Sequence, residues 1–224
     1  MLDIFIGYDP KETVAYHVAC HAILERSSAP VRFAPLHLHN LGPRMRRERH
    51  ALQSTEFSFS RFLVPALSGF SGWSLYMDCD MLARADIAEL FALRDERRAV
   101  MVCQHDYVPR TDRKFLGQTQ APYARKNWSS LILFNNARCR ALTEDYVNTA
   151  SGLDLHQFKW LADDGLIGAL PLDWNWLVGE YEPNAHARMV HFTLGGPYFS
   201  AFADTDYAGE WRAAQQRMNF AATP

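Results

Sequence analysis

The sequence predicts a mixed α/β domain with a mostly parallel central sheet flanked by helices, and three observations carry that prediction. Short apolar runs alternate along the chain with stretches of helical apolar spacing, the pattern of helices packed on the faces of a parallel sheet. The first run, Leu2–Gly7, stops at the turn sequence Tyr8-Asp9-Pro10 and gives way to helical spacing over residues 12–24. A third run, Leu75-Tyr76-Met77-Asp78-Cys79-Asp80-Met81-Leu82, is apolar on both sides of two carboxylates set one residue apart. With 224 residues the chain fits one domain and can bury a core.

Composition narrows the function classes. Apolar residues make up 48% of the chain, which excludes a disordered segment. Lys plus Arg number 23 against 25 Asp plus Glu, so no basic excess points to nucleic acid as a partner. One local excess, Arg44, Arg46, Arg47 and Arg49, suits a solvated loop, a phosphate or an acidic lipid surface. The four cysteines, Cys20, Cys79, Cys103 and Cys139, form no Cys-x-x-Cys pair; three lie in apolar surroundings and read as reduced core thiols. Residues 1–7 lack a basic start and a long apolar run, and no window reaches the length of a bilayer span. A cytoplasmic protein is therefore expected, with room for a peripheral contact on the inner face of a membrane.

The elements follow in order. Residues 2–7 form a strand, 12–24 a helix and 31–36 a second strand, after which His37 and His39 alternate on one face. Such a pair suits a metal only with a third ligand, so two ordinary strand-end histidines are the simpler reading. Residues 40–54 are basic and loop-like, and 54–67 read as a helix with Phe57, Arg61 and Val64 at helical spacing and Pro65 near its end. Arg61 is the one cation of that stretch and is placed to reach the carboxylates of the central run. Asp86 caps a short helix, 99–103 is a strand, and 104–125 is a long polar segment of the kind that covers active sites. Strands are expected at 131–134, 168–170 and 189–192, and helices at 142–149 and 156–161. Residues 204–224 read as a polar helix and tail appended to a domain of residues 1–203.

If 75–82 is a buried strand, its period of two sends Asp78 and Asp80 to one face and Cys79 to the other. Two adjacent buried carboxylates repel each other and lose solvation, so the arrangement asks for a divalent cation such as Mg2+ or Mn2+; a capped strand-to-helix turn is the competing reading. A second Asp-x-Asp, Asp204-Thr205-Asp206, sits among small polar residues and reads as a solvated turn. Ligands of open parallel sheets bind beyond the carboxyl ends of strands, which places Tyr8 and Asp9 where a nucleotide is met; a plain turn before Pro10 accounts for Asp9 equally well. The pair Gly195-Gly196 permits close backbone approach to a phosphate. Neither a dinucleotide fingerprint nor a P-loop is present.

The order of these pieces resembles the retaining nucleotide-sugar glycosyltransferases of family 8, which includes glycogenin and the bacterial lipopolysaccharide galactosyltransferases. The residues that carry it are Ile4-Phe5-Ile6-Gly7-Tyr8-Asp9, Phe59-Ser60-Arg61-Phe62 and Leu75 to Leu82. They continue with Asp86-Ile87, Leu90-Phe91, Ser129-Ser130-Leu131-Ile132-Leu133-Phe134-Asn135 and His191-Phe192-Thr193-Leu194-Gly195-Gly196-Pro197. The resemblance implies a GT-A fold in a single domain. It further implies Mn2+ (or Mg2+) held by Asp78, Asp80 and His191 on the diphosphate of a donor nucleotide-sugar, UDP-linked. By the same resemblance Arg61 holds the donor, Tyr8 and Asp9 the nucleoside, and Gly195 and Gly196 the phosphates. Gln157 falls at the family's Asp-Gln pair, with His156 in place of the Asp, and is the candidate contact to the reacting sugar. The activity implied is transfer of a hexose to a hydroxyl acceptor on a bacterial surface glycan or glycolipid.

Three positions depart from the family. Trp128 stands where Asn usually precedes Ser-Gly, and Ser130 replaces that Gly, which reshapes the pocket for the donor sugar. The usual Lys of the closing motif is missing and Tyr198-Phe199 follow Pro197, so phosphate charge falls to Arg110, Arg113 or Lys126. Two other readings use the same residues: a nucleotidyltransferase acting on a triphosphate, and a family member that binds glycan without catalysis, with Trp128, Trp174 and Trp176 as stacking surfaces.

Overall fold

The computed structural model describes residues 1–48, 55–111, 115–117 and 124–219. Its strands are β1 (Leu2–Gly7), β2 (Val31–Leu36), β3 (Trp73–Met77), β4 (Met81–Ala83), β5 (Val100–Cys103), β6 (Leu131–Asn135), β7 (Ile167–Leu170), β8 (Trp176–Leu177) and β9 (Met189–His191). Its α-helices are α1 (Thr13–Leu24), α2 (Leu38–Leu41), α3 (Val64–Leu67), α4 (Ile87–Ala92), α5 (Glu144–Thr149), α6 (Gly152–His156) and α7 (Ala208–Met218). The central sheet has the order β2-β1-β3-β6-β5-β7. In it β1 runs parallel to β2 and β3, and β5 parallel to β7; β6 alone is antiparallel, wedged between β3 and β5. The mixed, mostly parallel sheet flanked by helices is the architecture the sequence predicts.

The physical reason is burial on both faces. Strands β5 and β6 are buried along their whole length and β3 over its last four residues, as their near-continuous apolar sequences require. Helix α1 turns Ala15, Val18, Ala19, Ala22 and Ile23 to the core, the spacing of one helical face. At the end of β1 a side chain on Gly7 would lie 2.4 Å from the Phe57 ring, so only glycine lets residues 57 and 76 close over that strand end. Helix α7 packs on α1 with Trp211 and Ala214 in the core, and Arg217 grips Glu25 at 2.6 and 2.9 Å.

Several expectations are corrected. Residues 75–82 are not one strand: β3 ends at Met77, residues 78–80 turn, and β4 enters a separate three-stranded sheet of order β4-β9-β8. The helix expected over 54–67 is, over the described residues 55–67, a set of turns, a 3-10 segment Ser60–Leu63 and the single turn α3. Thr55 and Ser58 bond each other and the local backbone instead of a helix, and Pro65 lacks the N–H that an uninterrupted helix needs. The helix expected at 156–161 lies earlier, as α6, because Ser151 caps it through the Asp154 N–H, and Phe158 at φ 58° breaks the continuation. His37 precedes α2 and packs on the Tyr8 ring at 4.9 Å, so the two histidines do not alternate on a strand. Arg44 and Arg46 pair with Glu144 and Asp145, and Arg47 donates to the Val147 and Ala150 carbonyls; these three charges are engaged with α5. Arg49 lies outside the described residues. Among the described residues no helix is long and apolar enough to cross a membrane.

Candidate active site

The carboxyl end of β3 and the end of β9 meet at one place. Asp78 leaves β3 with its N–H on the Ser130 carbonyl (2.9 Å), and Asp80 offers its carbonyl to the Phe192 N–H (2.9 Å). The antiparallel pairing of Met81 with His191 then sets the imidazole beside the two carboxylates. One ligand atom each of Asp78, Asp80 and His191 lies within 4.8 Å of the others. The turn at 78–80 achieves this, rather than strand alternation.

Asp78 is held from one side. Its Oδ1 accepts from the Tyr76 hydroxyl (2.6 Å) and pairs with Arg61 Nη2 (3.1 Å). Arg61 is itself buried, donating to the Ser129 carbonyl at 2.7 Å and lying over the Tyr76 ring at 4.9 Å. Burial raises the Asp78 carboxyl above its ordinary range, the Arg61 charge opposes that, and Asp80 adds to it.

His191 is oriented by Asn175. The Asn175 amide donates Nδ2 to Ser130 Oγ (2.8 Å), so its Oδ1 is the atom facing His191 Nδ1 at 2.9 Å. Nδ1 therefore carries a proton and donates it to Asn175, which turns Nε2 to the opposite side of the ring. That nitrogen faces Asp80 Oδ1 at 3.4 Å, and this oxygen has no hydrogen-bond partner among the described residues. A buried imidazole nitrogen and a buried carboxylate oxygen therefore face one another, with the Asp78 carboxylate beside them. The donor set of two carboxylates and one imidazole fits a divalent cation that tolerates nitrogen.

The other expected residues fall as follows. Asp9 is buried with both oxygens used, Oδ1 by the Lys11 N–H (3.0 Å) and Oδ2 by the Glu56 N–H (3.2 Å). Tyr8 bonds Thr13 through its hydroxyl at 3.1 Å and rests on Tyr16 and His37. Gly195 and Gly196 are buried between two turns after β9; Gly195 has φ 145°, and a side chain on Gly196 would strike the Tyr198 ring at 2.2 Å. Gln157 caps α6, its carbonyl taken by Arg125 at 2.6 Å, and its side chain makes no hydrogen bond among the described residues. His156 bonds Ser129 Oγ at 2.7 Å. Arg110 is paired with Glu182 at 2.8 Å, Lys126 is buried, and Arg113 lies outside the described residues. Asp204 and Asp206 are exposed in a turn.

Sequence reasoning missed Asn175 and Glu12. Asn175 lies between two tryptophans with no local signal, and only the β8–β9 pairing brings it to His191. Glu12 looks like a surface residue at a helix start, yet it is 1% exposed, with Oε1 on the Tyr198 hydroxyl (2.6 Å) and Oε2 unpartnered among the described residues. Burial, with Asp80, Asp9 and Asp78 adding repulsion, pushes Glu12 from 4.5 up to about 8; the Tyr198 bond pulls the other way. The folded chain thus binds this proton more tightly than the unfolded one. The stability it contributes is whole below pH 4.5 and is lost as pH rises toward 8. In metal-free buffer Glu12→Gln should melt several degrees above the parent at pH 8.5 and close to it at pH 5. Equal differences at both pH values would refute the assignment.

No family model matches the chain. Solved structures with the same fold include the galactosyltransferase LgtC in complex with donor and acceptor sugar analogs, with a TM-score of 0.63 at 11% identity over 99% of this chain and 98% of that one. The glycosyltransferase GlyE of Streptococcus pneumoniae TIGR4 superposes with a TM-score of 0.62 at 11% identity over 96% of this chain and 61% of that one. The bifunctional WbbM gives 0.60 at 15% identity over 96% of this chain and 52% of that one, so the chain spans about half of its length. The fold is therefore GT-A, the class of architecture that these glycosyltransferases share. Within it, the chain belongs to the family of Protein CDI of Arabidopsis thaliana, to which it is 44% identical over 225 residues, 96% of this chain and 86% of that protein.

Proposed function

We propose that this protein is a divalent-metal-dependent, retaining glycosyltransferase that moves a hexose from a UDP-sugar to a hydroxyl of a glycan or glycolipid. The observation that carries the reading is the buried cluster of Asp78, Asp80 and His191, whose ligand atoms lie within 4.8 Å of one another and in which Asp80 Oδ1 has no hydrogen-bond partner among the described residues. Asp78, Asp80 and His191 hold Mn2+ or Mg2+, which when bound acts as a Lewis acid toward the oxygen of a departing nucleoside diphosphate. The side chains do the rest. Arg61 and Tyr76 occupy Oδ1 of Asp78 and leave its other oxygen for the ion, so Arg61 holds the donor through Asp78. Asn175 keeps His191 Nε2 turned to the same point. The Gly195-Gly196 backbone approaches the phosphates, Tyr8 covers the nucleoside, and Asp9 shapes that wall by fixing the turn at residues 9–12 and the Glu56 N–H. Gln157 contacts the transferred sugar, and residues 1–203 form the catalytic domain, on which α7 of the segment 204–224 packs through Trp211 and Ala214.

Melting temperature across a panel of sugar nucleotides, with Mn2+ and with EDTA, tests the reading. A ligand that binds only the folded chain at a hundredfold excess over Kd adds about 2.7 kcal/mol, a rise of several degrees. Stabilisation by a UDP-sugar that EDTA abolishes is expected. Stronger stabilisation by a nucleoside triphosphate with pyrophosphate release, or glycan binding indifferent to EDTA, would overturn the proposal.

A further inference from the structure

The sheet lines up three parallel strand ends along one edge. At β1 stand Tyr8 and Asp9, at β3 stands Asp78, and two residues beyond β5 stands His105, with the amino end of β6 between the last two. His105 is therefore on the opposite flank of the carboxylates from Tyr8. It is 5% exposed, and its backbone is pinned where its carbonyl accepts from Trp128 Nε1 at 2.8 Å. Its Nδ1 lies 2.9 Å from the Tyr181 hydroxyl, while its Nε2 is buried with no hydrogen-bond partner among the described residues.

The surroundings tie this ring to the candidate metal centre. Tyr107 and Tyr181 meet the His105 ring at distances of 6.3 and 5.8 Å. Asn127 donates Nδ2 to the Tyr107 hydroxyl (2.6 Å) and to Thr193 (3.4 Å), two residues beyond His191. Burial pushes His105 down to about 3, so the ring is neutral at working pH. A neutral imidazole offers one unspent hydrogen bond, which suits an alcohol and gives an anionic phosphate no charge to meet. Aromatic walls beside it suit the face of a pyranose.

We propose that His105, set by Tyr181, reads a hydroxyl of the sugar carried by the donor nucleotide and so determines which sugar is accepted. This rests on the nucleotide-sugar reading above. The nucleoside is then met at the β1 flank, the diphosphate at β3, and the sugar at β5.

The test compares the affinities of UDP, UDP-glucose and UDP-galactose, each with Mn2+, for the parent chain, His105→Asn, His105→Gln and Tyr181→Phe. Asn keeps a partner for Tyr181 and lacks an atom at Nε2; Gln reaches that position. His105→Asn should weaken the preferred UDP-sugar about tenfold and leave UDP unchanged, the loss of one hydrogen bond to an uncharged group. His105→Gln should recover part of the loss, and Tyr181→Phe should show the same split between UDP and UDP-sugar. Equal weakening of UDP and UDP-sugar, or no change in either, overturns the assignment of His105. A parent chain that binds none of the three removes the nucleotide-sugar reading itself and this inference with it. Should His105→Asn fail to fold, the same split or its absence in Tyr181→Phe decides.

Discussion

Asp80→Ala should lower sugar transfer by at least about 10³-fold, some 4 kcal/mol of transition-state stabilisation, while leaving the chain folded. The functional loss follows from taking away one of the three ligand groups that the cluster brings together. The tolerance of the fold follows from the same geometry. Asp80 Oδ1 accepts no hydrogen bond among the described residues, so its removal orphans no donor and relieves the repulsion that raises Asp78 and Glu12. In EDTA the variant should melt at or above the parent; with Mn2+ added, the parent should gain stability and the variant should not. Mn2+-dependent transfer at the parental rate in Asp80→Ala would remove the metal from the mechanism.

Arg61→Met should show the opposite balance, a large loss of stability. Arg61 is the buried cation that neutralises Asp78, and breaking a buried pair by deleting one partner costs about 3–5 kcal/mol because the other charge is left behind. For a chain of this size that is on the order of 10 °C in melting temperature. The pH dependence carries the sign. Without Arg61 the folded-state pKa of Asp78 rises further, so the deficit is greatest above that raised pKa and narrows as pH falls and the carboxyl takes up its proton. Adding Asp78→Asn to Arg61→Met should restore most of the loss, which a double-mutant cycle measures. A deficit independent of pH, or no rescue, would show that Arg61 acts by packing on Tyr76 and Phe57 instead.

Asp78 and Asp80 were legible because two carboxylates interrupt an apolar run, a cost that a soluble chain seldom bears without a purpose. How they converge was not. Met81–Ala83 is as buried as Trp73–Met77, so the run reads as one strand, and nothing local marks a turn that passes the chain from one sheet to another. Arg61 does reach Asp78, as its position suggested, although the helix expected to carry it is a 3-10 segment. For Asp9 the sequence left a nucleotide contact and a plain turn before Pro10 open; the turn is there, with Oδ1 on the Lys11 N–H, and the bond to Glu56, 47 residues away, had no local signal.

By itself the sequence determined the alternation of buried strands and helices, the parallel sense of most of the sheet and the acids that end its central strand, since periodicity and solvation act over a few residues. Tertiary structure alone decided which nitrogen of His191 faces Asp80, that Glu12 is an interior acid, and that His105 is buried with one nitrogen unspent among the described residues. Those properties come from pairings such as β4 with β9 and β8 with β9, where hydrogen-bond partners are chosen by strands distant in the chain.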